Sequence, residues 1–250
     1  MSYKLLTVKN FKVLKGLAQG YNTAILHLSP EKVSGYGNVC ASATEGCKAV
    51  CLNTSGHGRY SNVQNARKER TRLYFLENQK FKDTLREDID TFIRRSKKND
   101  LIPVFRLNGT SDLPMLAREF ALEYPEIMFY DYTAHPKPWT RTLPNYDLTF
   151  SLKENNTIQA MAALENGIRV AAVFDELPET YLGYKVINGE NSDLRFLEPK
   201  NVIVGLTPKG KARHDKTGFV IRTRDKVLNR RAFARRPGEF QIHPSVRLGV

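Results

Sequence analysis

The sequence has no long hydrophobic run, no low-complexity segment, no internal repeat and only three cysteines among its 250 residues. No run approaches the roughly 18 apolar residues of a membrane span, so we expect no membrane insertion. The first residues lack the apolar stretch and small-residue cleavage site of a signal peptide, which predicts a cytoplasmic protein. Hydrophobic residues make up 41% and aromatic residues 10%, which argues against a disordered chain.

The net charge of +13 is unevenly distributed along the chain. Residues 99–199 carry a net −7, whereas residues 200–250 carry a net +10. Clustered Arg and Lys side chains bind polyanions by releasing counterions, so residues 209–236 are predicted to bind nucleic acid. The alternative is a solvated basic segment that keeps the protein soluble. No helix-turn-helix, zinc-finger or RNP-type pattern accompanies the charge.

Short apolar stretches alternate with helix-like stretches along most of the chain. This alternation predicts a parallel sheet with helices outside it. About six parallel strands at this spacing favour an α/β fold of the partial (incomplete) βα-barrel type, and a doubly wound sheet is the alternative. Strands are predicted at 23–28, 101–107, 127–132, 147–152, 169–174 and 201–206, and helices at 62–98 (long enough for two), 113–124 and 158–165.

The predicted domain organisation is a barrel-like domain over residues 1–210 and a basic C-terminal segment over residues 211–250. That segment would pack on the first domain or extend from it. In either candidate fold, the functional site is expected in the loops after the carboxyl ends of the parallel strands. The residues that follow each predicted strand are therefore the first candidates for the site.

All three cysteines lie in the loop after the first predicted strand, with the spacing Cys40-x6-Cys47-x3-Cys51. An odd number of cysteines in a reducing compartment argues against a disulfide framework, and the clustering predicts a metal site. Three thiolates can hold three irons of a [4Fe–4S] cluster, which leaves the fourth iron for another ligand. Alternatively, the three cysteines and His57 bind zinc, with His57 as the candidate fourth ligand. Zinc sites favour two short Cys spacings, and this loop has one, so the spacing favours the cluster.

Polar side chains after the second predicted strand are the next candidates. Asn108, Thr110, Ser111 and Asp112 are predicted to face the cluster or its ligand. Ser111 or Asp112 is also a candidate N-cap for the helix that follows. Arg67, in the helix after the cysteine loop, is predicted to place a cation beside the anionic cluster; the alternative is an exposed helix face.

Two blocks carry a resemblance to a known family. Residues 38–72 contain the cysteine motif, then Leu-Asn-Thr-Ser-Gly-x-Gly and Asn-Ala-Arg-Lys-Glu-Arg-Thr, and residues 105–112 read Phe-Arg-Leu-Asn-Gly-Thr-Ser-Asp. Both blocks resemble the bacteriophage "gene product 88" family. The resemblance implies an iron–sulfur protein of phage origin, and hence the host cytoplasm as its location, but it supplies no established activity.

A wider resemblance is to radical S-adenosylmethionine enzymes. These also carry three cysteines in the loop after the first strand of a partial βα barrel, and the methionine part of S-adenosylmethionine occupies the fourth iron. The present spacing departs from their usual Cys-x3-Cys-x2-Cys. Their Gly-rich segment, which holds the amino group of S-adenosylmethionine, is only loosely echoed by residues 108–112. This is an analogy at the level of fold.

Three classes of function remain open on the sequence, and the residues do not decide between an enzyme and a non-catalytic protein. The first is a radical-SAM-like enzyme with S-adenosylmethionine as a second cofactor. The second is a non-catalytic electron-transfer protein that receives its electron from a donor protein. The third is a nucleic-acid-associated protein in which a cluster or zinc is structural.

Overall fold

A ten-stranded, mostly parallel sheet organises the protein in the computed structural model, which describes residues 4–8 and 15–223. Each of the six predicted strands is present within a few residues of its predicted bounds. The strands are β1 (Leu6–Thr7), β2 (Tyr21–Leu26), β3 (Ile102–Arg106), β4 (Met128–Thr133), β5 (Tyr146–Ser151), β6 (Arg169–Phe174), β7 (Thr180–Tyr181), β8 (Tyr184–Asn188), β9 (Ile203–Leu206) and β10 (Val220–Ile221).

The α-helices and 3-10 turns named here connect these strands in the residues that the structure describes. None of the helices there is long and apolar enough to cross a membrane. The helices are α1 (Glu45–Ala49), α2 (Ser61–Leu76), α3 (Asn78–Lys98), α4 (Pro114–Glu123) and α5 (Thr157–Glu165). The 3-10 turns are Leu52–Thr54, Gly56–Arg59, Pro138–Thr140, Arg195–Leu197 and Gly210–His214.

The strand order is β1-β2-β3-β4-β5-β6-β9-β8-β7, and β10 pairs with β6 beyond the end of β5. Strands β2 to β6 are parallel neighbours in chain order, and β9 extends the parallel run. A doubly wound sheet reverses its strand order partway across, and this run does not. The sheet remains open because β1 and β7 form its two edges. The predicted parallel α/β architecture is confirmed, whereas the predicted partial-barrel character is not.

One face of the sheet packs against the helices through alternating apolar side chains. Leu26, Phe105 and Phe129 from three adjacent strands belong to one buried core with residues of α3 and α4. The ring of Phe105 stacks on Phe129 at 5.3 Å and meets Phe92 of α3 edge-on. The helix supplies this contact because its apolar residues recur at helical spacing on one side, at positions 81, 85, 89 and 92.

The opposite face of the sheet is buried beneath the segment 189–198. Leu194 packs against residues of β3 and β4, and Arg106 Nη1 lies 3.3 Å from Asp193 Oδ2. The Arg106 guanidinium also stacks over the Tyr132 ring at 4.6 Å. Arg106 is therefore a buried cation with an anionic partner, which a charge in this position requires. Over β3 and β4, the face that a barrel would enclose is therefore covered by side chains of the protein itself.

Several short elements had no signal in the sequence: β1, the β7–β8 hairpin and α1. Because β1 precedes it, the cysteine loop follows the second strand of the chain rather than the first. Within the predicted C-terminal segment, β10 pairs with β6, and Val220 packs against Val50. Residues 224–250 of that segment, including 224–236 of the predicted nucleic-acid region, lie outside the described residues.

Candidate functional site

The cysteine loop lies over the carboxyl ends of β3 and β5, as expected for this class of fold. The loop after β3 holds one side of it, because Asp112 N donates to Val39 O at 2.8 Å. The end of β5 holds the other side. Lys153 Nζ donates to Ser42 O at 2.8 Å, and Glu154 Oε1 accepts from Gly46 N at 2.8 Å. The three cysteines are thus attached to the part of the sheet where a parallel α/β protein places its site.

The thiols of Cys40, Cys47 and Cys51 are free and half-buried. Burial raises the pKa of all three, to about 12 for Cys40. Repulsion between thiolates raises the pKa further: the other two thiolates raise the pKa of Cys40, and the Cys51 thiolate raises that of Cys47. The three thiols therefore lie within electrostatic range of one another and are protonated at neutral pH. A metal that binds them must displace these protons.

The cysteines and His57 do not converge on one point. Among the described residues, no three Cys, His, Asp or Glu side chains are placed to hold one metal ion. His57 is exposed, and its ring lies 5.7 Å from the Tyr60 ring. The structure therefore offers no preformed zinc site from the cysteines and His57. In a cluster each thiolate binds a different iron, so the ligands need not converge on one point. The spread of the three thiols therefore leaves the cluster hypothesis open.

Asn108 shapes the loop after β3. Its backbone N and its side-chain Nδ2 donate to the two carboxylate oxygens of Asp131, at 2.8 and 2.9 Å. Its Oδ1 accepts from Ser111 Oγ at 2.9 Å and from Leu113 N at 2.8 Å. The N-cap of α4 is Leu113, without a side-chain cap, so the prediction that Ser111 or Asp112 caps this helix is wrong. Asn108 Oδ1 instead accepts from the backbone N of Leu113 at the start of this helix.

Of the four polar residues predicted after β3, Thr110 and Asp112 lie beside the thiols. The Cys40 thiol lies 3.8 Å from the carbonyl oxygen of Thr110. The carboxylate of Asp112 raises the pKa of both Cys40 and Cys47. One oxygen of Asp112 accepts from Ala134 N at 2.9 Å, whereas Oδ1 is buried with no hydrogen-bond partner. Asn108 and Ser111 instead form hydrogen bonds within the loop after β3.

Two cations flank the thiols. Arg67 of α2 is only 8% exposed, and its Nη1 donates to the side chain of Asn53. Its charge lowers the pKa of Cys51, so Arg67 lies beside the cysteines rather than on an exposed helix face. Lys153 is 9% exposed and lowers the pKa of Cys47. A lone lysine in a loop is usually solvated, and the position of Lys153 directly after β5 was the available signal in the sequence.

Glu154 fixes the short helix that carries Cys47. Its Oε2 accepts from Thr44 Oγ1 at 2.8 Å, and Thr44 Oγ1 in turn accepts from Cys47 N at 3.2 Å. A side chain at Gly46 would collide with Glu154, since a Cβ there would lie 2.7 Å from its carboxylate. Helix α1 is therefore held close to the end of β5, which keeps Cys47 beside Lys153.

Comparison with known proteins identifies a family match. A protein-family profile described as Gene product 88 matches residues 4–223 of the chain. No curated protein matches the sequence. No solved structure matches it either. The match spans all of the described residues, including the cysteine loop and every strand of the sheet.

Proposed function

The chain belongs to the Gene product 88 family, a phage-type family, and we propose that it is an iron–sulfur redox protein of the host cytoplasm. In this proposal Cys40, Cys47 and Cys51 hold a [4Fe–4S] cluster. The observation that carries it is the set of three free, half-buried thiols in mutual electrostatic range at the carboxyl ends of the strands. Two buried cations flank the same thiols, which suits a set of ligands that becomes anionic when it binds metal.

The surrounding residues have definite roles in such a site. Lys153 and Arg67 offset the charge of the thiolates after their protons are lost. The carbonyl oxygen of Thr110 and the carboxylate of Asp112 limit where a ligand can approach Cys40. Glu154 keeps Cys47 in place by holding α1. The bound cluster would supply a one-electron carrier, and a donor protein would supply the electron.

The first test is anaerobic reconstitution with iron and sulfide. We expect a brown protein with broad visible absorption and about four irons and four sulfides per chain, the composition of such a cluster. Replacement of Cys40, Cys47 or Cys51 by serine is expected to remove most of the bound iron, because three protein ligands leave no spare thiolate. Ser42→Ala is the matched control, since it keeps the carbonyl that Lys153 binds. A colourless protein with one equivalent of zinc would contradict the proposal.

A radical-SAM-like reaction is the second candidate. The position of the cysteine loop after the first parallel strand and the chain-order run from β2 to β6 support it. The covered face beneath residues 189–198 favours plain electron transfer instead, because Leu194 and the Arg106–Asp193 pair occupy that face over β3 and β4.

S-adenosylmethionine separates the two roles. If the fourth iron binds it, the EPR signal of the reduced cluster changes on addition, and 5′-deoxyadenosine accumulates under dithionite. A Cys51→Ser variant provides the background rate. An unchanged EPR signal and no 5′-deoxyadenosine would reject the enzymatic role and leave the electron-transfer role in place.

A further inference from the structure

An exposed surface next to the cysteine loop is formed by three 3-10 turns that are distant in the sequence. The turn Leu52–Thr54 contacts both the turn Gly56–Arg59 and the turn Gly210–His214. Gly210 lies so close to Ser55 that a Cβ at this position would collide with its side chain. The sequence indicated basic residues after position 208, but it did not place them against residues 52–59.

This surface, which we call the basic face, combines cations with flat rings. The Arg59 guanidinium lies 5.7 Å from the centre of the Tyr60 ring, and His57 packs against the same ring. The cations of the face form no ion pair with any described residue, so their charge is available. All of its members are exposed: Leu52, His57, Arg59, Tyr60, Lys211, Arg213 and His214.

The basic face rests on a fixed support. Ala212, in the middle of the basic turn, is buried against Val50 and Val220, so the turn is anchored to the cysteine loop and to β10. The acidic residue nearest in sequence, Asp215, does not neutralise the cations. Asp215 is 8% exposed, and its carboxylate accepts hydrogen bonds from Thr217 and from Val220 N. The cations are thus held in place without a carboxylate of their own turn to pair with.

We propose that the basic face binds single-stranded nucleic acid. The cations at positions 59, 211 and 213 contact phosphates, and the Tyr60 ring stacks on a base. Stacking on exposed aromatic rings beside a cationic track is how proteins bind single strands without a groove-reading element. A duplex is a poorer fit, because the face consists of short turns and offers no helix or ribbon for a major groove. An acidic protein partner would use the cations but has no need of the rings.

The test is fluorescence anisotropy of the full chain with a labelled 20-nucleotide single strand, across a range of salt concentrations. We expect binding that weakens as salt rises. In the variant Arg59→Glu/Lys211→Glu/Arg213→Glu the magnitude of the slope of log K against log salt should fall by about 2, because each of three lost phosphate contacts removes roughly 0.7. The matched control Arg94→Glu/Lys97→Glu/Lys98→Glu changes the net charge equally on exposed residues of α3 and should bind nearly as well as the wild type.

A second pair of variants tests stacking. Tyr60→Ala should weaken binding about tenfold, the size of the loss when one stacked base is removed. Tyr36→Ala removes a comparably exposed tyrosine that lies outside the basic face and should have no such effect. Equal weakening by the two triple variants would overturn the proposal, as would no binding at 50 mM salt. If polyglutamate competes as effectively as an oligonucleotide and Tyr60→Ala binds as well as the wild type, the face binds an acidic protein. That result would also overturn the proposal. No outcome depends on the cluster.

Discussion

Replacing Asp131 by asparagine is expected to remove a fall in stability that the wild-type protein shows between about pH 4 and pH 7. Asp131 is fully buried in β4, and burial raises its pKa from the usual 3.8 to about 7, against the opposing hydrogen bonds from Asn108 and the charge of Arg106. Tyr146 OH donates to the same carboxyl group at 3.4 Å. The buried surroundings of Asp131 therefore favour the neutral acid over the carboxylate.

The sign of the effect follows from proton counting. Between the two pKa values the folded protein binds a proton at Asp131 that the unfolded chain has already lost. Stability contributed by this group is therefore full below about pH 4 and is lost as the pH rises through 7. The difference of about three pKa units corresponds to a loss on the order of 4 kcal/mol. The free energy of unfolding, measured by urea titration at half-unit pH steps, would show it.

Asp131→Asn cannot ionise, so its stability should change much less with pH over this interval. Its absolute stability at pH 4 should lie below that of the wild type, because an amide group cannot accept from both donors of Asn108. Asp100→Asn is the control: Asp100 is exposed and has a left-handed backbone, which asparagine also adopts readily. A wild-type curve that stays parallel to the Asp131→Asn curve from pH 4 to pH 8 would show that the carboxyl group is ionised throughout.

The strands and long helices were predictable because their apolar residues repeat locally. In α3 the buried residues Phe81, Leu85 and Ile89 recur at helical spacing, and β6 is a continuous apolar run after Arg169. Helix α1 has five residues and β1 has two, which is too short for any period to emerge. Closure of a sheet depends on strand tilt and on contacts between its edge strands, and neither leaves a local pattern.

The candidate site was predictable only where its chemistry is visible in one segment. The cysteines share a loop, so their spacing pointed to metal. The burial of Lys153 depends on a carbonyl group 111 residues away, at Ser42, and the shape of the loop after β3 depends on Asp131, 23 residues from Asn108. A lysine after a strand usually remains solvated. Lys153 is buried because the cysteine loop lies over the end of β5.

Replacing Lys153 by methionine is expected to make Cys47 less reactive and the proposed cluster less stable. The Lys153 charge lowers the pKa of Cys47, which burial and the neighbouring acidic groups otherwise raise. Removing it raises that pKa further, so less thiolate exists at a given pH. A change of one pKa unit corresponds to about a tenfold loss of thiolate. The hydrogen bond to Ser42 O disappears as well, which frees one side of the cysteine loop.

Thiol chemistry on the metal-free protein measures the first effect separately from the second. With Cys40 and Cys51 replaced by serine, the rate of Cys47 alkylation between pH 7 and pH 10 should fall in Lys153→Met and be largely kept in Lys153→Arg. Lys185→Met, an exposed lysine of β8, is the matched control. The reconstituted Lys153→Met protein should then lose iron to a chelator faster than the wild type. Alkylation profiles that are identical in the wild type and in Lys153→Met would mean that Lys153 only ties the loop to β5. Slower alkylation in both Lys153→Met and Lys153→Arg would mean that the exact position of the ammonium group, rather than its charge alone, controls the thiol.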